Sequence, residues 1–61
     1  KNAEVYLRIP AGRKDTGKIT VSLNGSIHEL EALTDGEEIP TGGKVKIIAK
    51  VDGETVVVEK L

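Results

Sequence analysis

His28, the acidic residues Glu29, Glu31, Asp35, Glu37 and Glu38, and the basic residues Arg13, Lys14 and Lys18 are the side chains of this 61-residue chain whose types and spacing could do chemistry. A histidine can ligate zinc, but zinc takes three or four convergent nitrogen or sulfur ligands. His28 is the only histidine and there is no cysteine, so it reads as a structural or rim residue, expected on the inner face of the sheet near the mouth of a small β-barrel. Calcium takes oxygen ligands held in a fixed loop, with Asp or Asn at alternate positions around a glycine. The acidic run lacks that spacing and reads as a solvated face. A basic spot that binds single-stranded nucleic acid is interleaved with aromatic platforms on which bases stack. Here the one aromatic is Tyr6, which alternates with apolar neighbours in a strand-like run and is assigned to the outer surface near Arg8. Gly12, Gly17, Gly42 and Gly43 do not form a phosphate cradle, because no helix N-terminus follows them. No serine sits at a nucleophile elbow and no acid-base pair is apparent in the sequence. The expectation is a chain with no catalytic residues, no metal ligands and no cofactor.

The elements that must position these residues are bounded by length and composition. One domain and one small core fit in 61 residues, and such a core supplies only ~3–5 kcal/mol of net stability. Without cysteine, packing alone has to supply it. Nine basic and ten acidic residues leave a net charge of -1, so no global field draws in a polyanion or an anionic membrane. The apolar runs are triplets such as Val56-Val57-Val58, far below the ~20 residues that span a bilayer. The chain opens on Lys1 rather than methionine, which leads to the expectation of a single domain, residues 1–61, cut from a longer protein.

Valine, isoleucine and threonine dominate the apolar stretches, and none keeps helical spacing for three turns, so β structure is predicted. The first strand is expected from Glu4 to Ile9, with Val5, Leu7 and Ile9 facing inward, and a loop from Ala11 to Thr16 follows Pro10. The second runs from Gly17 to Leu23, with Ile19, Val21 and Leu23 on one face. Asn24-Gly25 then supplies the positive φ that a type I′ hairpin turn demands. A two-residue loop sets Ile19 opposite Leu30, Val21 opposite His28 and Lys18 opposite Glu31, so the third strand is Ser26 to Leu33. Residues 34–43, TDGEEIPTGG, form a connection in which Ile39 is the one large apolar residue and is predicted to tuck under the sheet as a plug. The fourth strand, Lys44 to Val51, and the fifth, Glu54 to Lys60, meet at Asp52-Gly53. A two-residue turn there would put Ile47 with Val58 and Ala49 with Val56 on the inner face, and Lys46 with Glu59, Ile48 with Val57 and Lys50 with Thr55 on the outer. Five such strands cannot bury one face as a flat layer. They are predicted to curl into a small all-β, five-stranded OB-type barrel built from antiparallel hairpins, which also removes the exposed edges.

On the outside of that barrel Ile48 and Val57 would form an exposed apolar pair. Two branched apolar side chains facing each other favour sheet formation on their own, which is the first reading of the pair. The second, with the pair extended by Ile27 and Leu33 and framed by Lys46, Lys50 and Glu59, is a candidate partner surface.

Two stretches resemble a known family, the NfeD-like domain. One is TGKITVSLNGSIHELEA. The other is EEIPTGGKVKIIAKVDGETVVVEKL, with Ile39, Gly42, Val45, Ile47, Ile48, Gly53, Val56 and Val58 at the positions of the family's pattern. The resemblance implies a soluble OB-fold domain at the C-terminal end of a membrane protein, in the cell membrane and with this domain on the cytoplasmic side. It also implies a non-catalytic interaction module whose partners are stomatin/prohibitin-like (SPFH) membrane proteins, acting in membrane organisation or membrane protease regulation. Two other readings are an OB-type nucleic-acid binder and a biotinyl or lipoyl carrier, the latter because DGEEIPTGGKVKI echoes the glycine-rich turns of that sandwich. A carrier presents its acceptor lysine at a hairpin tip, and neither Asn24-Gly25 nor Asp52-Gly53 offers one.

Overall fold

A computed structural model describes residues 2–61. It contains β1 (Asn2–Leu7), a short 3-10 turn (Ala11–Arg13), β2 (Gly17–Leu23), β3 (Ser26–Leu33), β4 (Lys44–Lys50) and β5 (Thr55–Lys60). The strands close into a barrel in the order β1-β2-β3-β5-β4, with β4 returning to β1. This is the predicted OB-type barrel, with one departure from a set of antiparallel hairpins. β3 and β5 run parallel, pairing Glu31 with Thr55, Ala32 with Val56 and Leu33 with Val57. A ring with an odd number of strands cannot alternate direction all the way round, so one seam has to be parallel.

The β2–β3 hairpin has the register set by its turn, from Gly17 opposite Ala32 to Leu23 opposite Ser26. Asn24 and Gly25 have φ of 51° and 81°, as a type I′ turn requires. β1 departs from simple alternation. Val5 faces Ile19 and Leu7 faces Lys18, so Tyr6 is an extra residue and β1 bulges there. The bulge turns Leu7 outward to 50% exposure, and the strand ends at Leu7 rather than Ile9. Ile9 re-enters the core beyond the bulge, in a two-hydrogen-bond bridge with Ile39 (Ile9 N to Ile39 O 2.9 Å, Ile39 N to Ile9 O 3.0 Å).

Ile39 is fully buried and plugs the barrel as the sequence suggests. Around it lie Val5, Ile9, Ile19, Val21, Val45, Val56 and Val58, with Ala3 and Ala32 filling the narrower places and Leu23, Leu30 and Ile47 packed at the margins. Each large side chain fully withdrawn from water contributes about 1.5–3 kcal/mol before chain entropy is set against it. Burying several of them at one centre is how a chain without disulfides holds its shape. The single buried polar side chain among the described residues, Thr34, accepts the Gly36 amide at 3.2 Å.

Candidate docking surface

The residues nominated as a partner surface do not form one patch. β4 and β5 keep the expected register at Val45–Lys60, Lys46–Glu59 and Ile47–Val58, then slip by one, so that Ala49 faces Val57 and Lys50 faces Val56. Ile48 is therefore a bulge residue with no partner across the strand. The slip follows from the turn, which is longer than two residues. The Val51 amide donates to the Thr55 carbonyl at 2.8 Å, and Asp52 Oδ1 accepts from the amides of Glu54 (2.9 Å) and Thr55 (3.0 Å). A turn anchored by an aspartate side chain in this way takes up Glu54 on the β5 side in addition to Asp52-Gly53, and the bulge at Ile48 on β4 restores the register beyond it.

Three consequences correct the expected surface. Val57 is 3% exposed and stands between Leu33 and Ala49, so it is unavailable to a partner. Ala49, expected inside beside Val56, is exposed, whereas Val56 faces the core as expected. Ile27 is 70% exposed but lies elsewhere, lining a shallow hollow with Asn2, Thr20, Ser22 and Lys44. That hollow shares no lining residue with the one beside Ile48. Lys46 and Lys50 are exposed on β4, as expected.

The hollow beside Ile48 has a volume of about 460 Å³ and opens to solvent. Val58 and Thr34 lie at its base, Ile48 forms a half-exposed wall, and Asp35, Glu37, Glu59 and Lys60 line the rim. Its loop side is held in place by the 3-10 turn. Gly12 N donates to Gly36 O at 3.1 Å, and Arg13 N donates to Thr34 O at 2.8 Å. Arg13 also grips Asp35 through both carboxylate oxygens, Nε to Oδ1 at 2.5 Å and Nη2 to Oδ2 at 3.3 Å.

The same contacts remove the basic spot read from Arg13, Lys14 and Lys18. Arg13 is tied to Asp35, and Lys18 stands opposite Glu31. Arg8 lies 3.6 Å from Glu38. His28 faces Val21 across the hairpin as read, but it is exposed rather than enclosed by the barrel mouth, because β5 borders β3 only from Glu31 onward. Tyr6 is 53% exposed on the outer surface. Among the described residues no three His, Cys, Asp or Glu side chains converge to hold a metal ion, and every buried side-chain nitrogen or oxygen has a hydrogen-bond partner. The titratable group set apart is Asp52. Chiefly the Glu54 amide, with the Thr55 amide and hydroxyl behind it, holds its carboxylate below the ordinary value of 3.8. Its work is to cap a turn.

A closed five-stranded OB-type barrel, with a centre filled by apolar side chains and its relief on the outside, is the class that fold and surface define. No protein-family profile matches the chain, and no curated protein matches it. Among solved structures it is similar to the soluble domain of the NfeD protein YuaF from Bacillus subtilis, with a TM-score of 0.80 and 16% identity. The likeness covers 98% of this chain and 69% of that one. The barrel therefore has the fold of an NfeD soluble domain. No helix of the described residues is long and apolar enough to cross a membrane.

Proposed function

We propose that this chain is the NfeD-like domain of a membrane-anchored protein and works as a non-catalytic docking module on the cytoplasmic side of the cell membrane. Its partner on this reading is an SPFH (stomatin/prohibitin-like) membrane protein, in membrane organisation or the regulation of a membrane protease. The observation that carries the reading is the likeness of almost the whole barrel to the soluble domain of an NfeD protein, joined to the glycine and valine pattern of the last two strands. The surface agrees with it. The barrel's interior is filled with side chains, so recognition has to happen on the exterior.

The nucleic-acid reading is weaker on charge. OB-type barrels take oligonucleotides on the face of their second and third strands and on the loops flanking it. Here that region carries Glu29, Glu31 and Glu54 around Lys18, with Lys14, Asp15 and Asp52 on the adjoining loops and no Phe, Tyr or Trp on either strand. Such a face repels phosphates. The carrier reading is weaker on geometry, since the tips of both hairpins, Asn24-Gly25 and Val51–Glu54, lack a lysine.

The test is co-purification. The parent protein, solubilised in mild detergent, is expected to retain a co-expressed SPFH protein, and deletion of residues 1–61 is expected to abolish retention. Equal retention without the barrel would refute the reading.

A further inference from the structure

Ile48 is the one large apolar residue of the β4–β5 ribbon that the fold both exposes and sets beside a cavity. Had the two strands kept one register, it would stand opposite Val57. The bulge leaves it 50% exposed with no cross-strand partner and makes it a wall of the 460 Å³ hollow. Bulges commonly re-aim a side chain in this way beside binding sites. The volume falls within the range of about 300–1,000 Å³ typical of ligand sites, and a mainly apolar wall and base, from Ile48 and Val58 with Thr34 beside them, inside a charged rim is the arrangement that takes an anchoring side chain from a partner.

The rim gives the partner its sign. Glu37 and Glu59 form no ion pair among the described residues, whereas Asp35 is neutralised by Arg13. Among the described residues Lys60 is the single cation on the rim, and Lys46 lies opposite Glu59 on β4. The lining thus has an excess of negative charge with two carboxylates free to pair outward. The hollow near Ile27 differs. There Lys44 Nζ and Glu4 Oε2 pair with each other at 3.5 Å, so the charge is satisfied within the chain.

We propose that the hollow between Ile48 and residues 34–37 seats a branched apolar side chain of a partner protein, flanked in that partner by lysine or arginine facing Glu37 and Glu59. The inference rests on the docking-module reading and adds the site and the chemistry of what it takes. Arg13 acts here as a positioning residue, since it holds the loop that forms one wall.

The experiment uses the 61-residue domain, uniformly labelled with nitrogen-15, and the blocked tetrapeptide Arg-Leu-Leu-Arg as probe. Saturable amide shifts are expected at Gly36, Glu37, Ile48 and Glu59. Binding should weaken about tenfold or more with Glu-Leu-Leu-Glu, with Arg-Ser-Ser-Arg, and in the Ile48→Glu variant, while Ile27→Glu leaves it unchanged. A well-dispersed spectrum of the Ile48→Glu variant shows that lost binding is not lost folding. No saturable shift at millimolar peptide, shifts centred on Ile27, or equal binding of the acidic peptide would each overturn the proposal. If the hollow stays silent while the parent still retains its SPFH protein, this inference falls and the docking-module reading stands.

Discussion

Replacing Gly17 with alanine tests the most tightly built contact in the barrel. Beyond its bulge β1 runs across the start of β2, and a methyl group at Gly17 would lie 2.4 Å from the Arg8 carbonyl oxygen, 2.6 Å from that of Leu7 and 2.7 Å from Ile9 Cγ1. Two of the three obstacles are backbone, which cannot swing aside, and the third belongs to a fully buried side chain. Either β1 lifts off β2 or the Ile9–Ile39 bridge opens. Overpacking of this kind costs about 1–3 kcal/mol, against a total of ~3–5 kcal/mol for so small a core. With a urea slope of roughly 1 kcal/mol/M for a domain of this size, the unfolding midpoint should fall by about 1–3 M. Gly53→Ala is the internal control. Its methyl meets nothing within 4 Å and its φ lies outside the left-handed region, so the stability change should stay within about 0.5 kcal/mol. Equal midpoints for Gly17→Ala and the parent sequence would refute the crossing of β1 over β2.

Three further outcomes follow from the same contacts. Ile39→Ala removes the plug and should cost about 2–5 kcal/mol, enough to leave the domain largely unfolded by circular dichroism, while Ile39→Val should cost about 0.5–1.5 kcal/mol and stay folded. Arg13→Ala breaks a pair whose partners are 47% and 66% exposed, so stability should drop by at most about 1 kcal/mol, yet amide exchange at Gly36 should accelerate as the loop loosens. Asp52 has a lowered pKa in the folded chain, so its contribution is present above the unfolded value of about 3.9 and is lost as pH falls through the folded value. The Thr55 amide resonance should therefore titrate at a lower pH than an ordinary aspartate would impose, and Asp52→Asn, which keeps the acceptor oxygen, should abolish that transition.

Much of the barrel was legible in the sequence because its strongest signals are local. Asn24-Gly25 fixes both the turn and the register of β2 against β3, and the match of Lys18 with Glu31 could be checked on charge alone. Ile39 stood out as the single large apolar residue in a polar connection, and it is the plug. The bulges at Tyr6 and Ile48 were not legible. A bulge adds a residue to one strand without changing the alternation visible in that strand's own sequence, so Leu7 read as core and Val57 as surface. At Asp52-Gly53 the dipeptide suggests a two-residue turn, whereas the aspartate side chain bonds the two amides beyond it and lengthens the loop. The candidate surface suffered most from this, because a shift of one residue at the turn decides which side chains of β4 and β5 face water. The hollow itself depends on the contact of Gly12 and Arg13 with residues 34–36, a meeting of two loops distant in sequence that carries no local signature.

The most direct test of the docking-module account is a pair of binding titrations on the isolated 61-residue domain at low salt, one with a fluorescent single-stranded oligonucleotide and one with a purified SPFH protein. The account predicts saturable binding of the protein and none of the oligonucleotide, since the face that would meet phosphates carries Glu29, Glu31 and Glu54. Oligonucleotide binding that weakens steeply with added salt, with no binding of the SPFH protein, would contradict it.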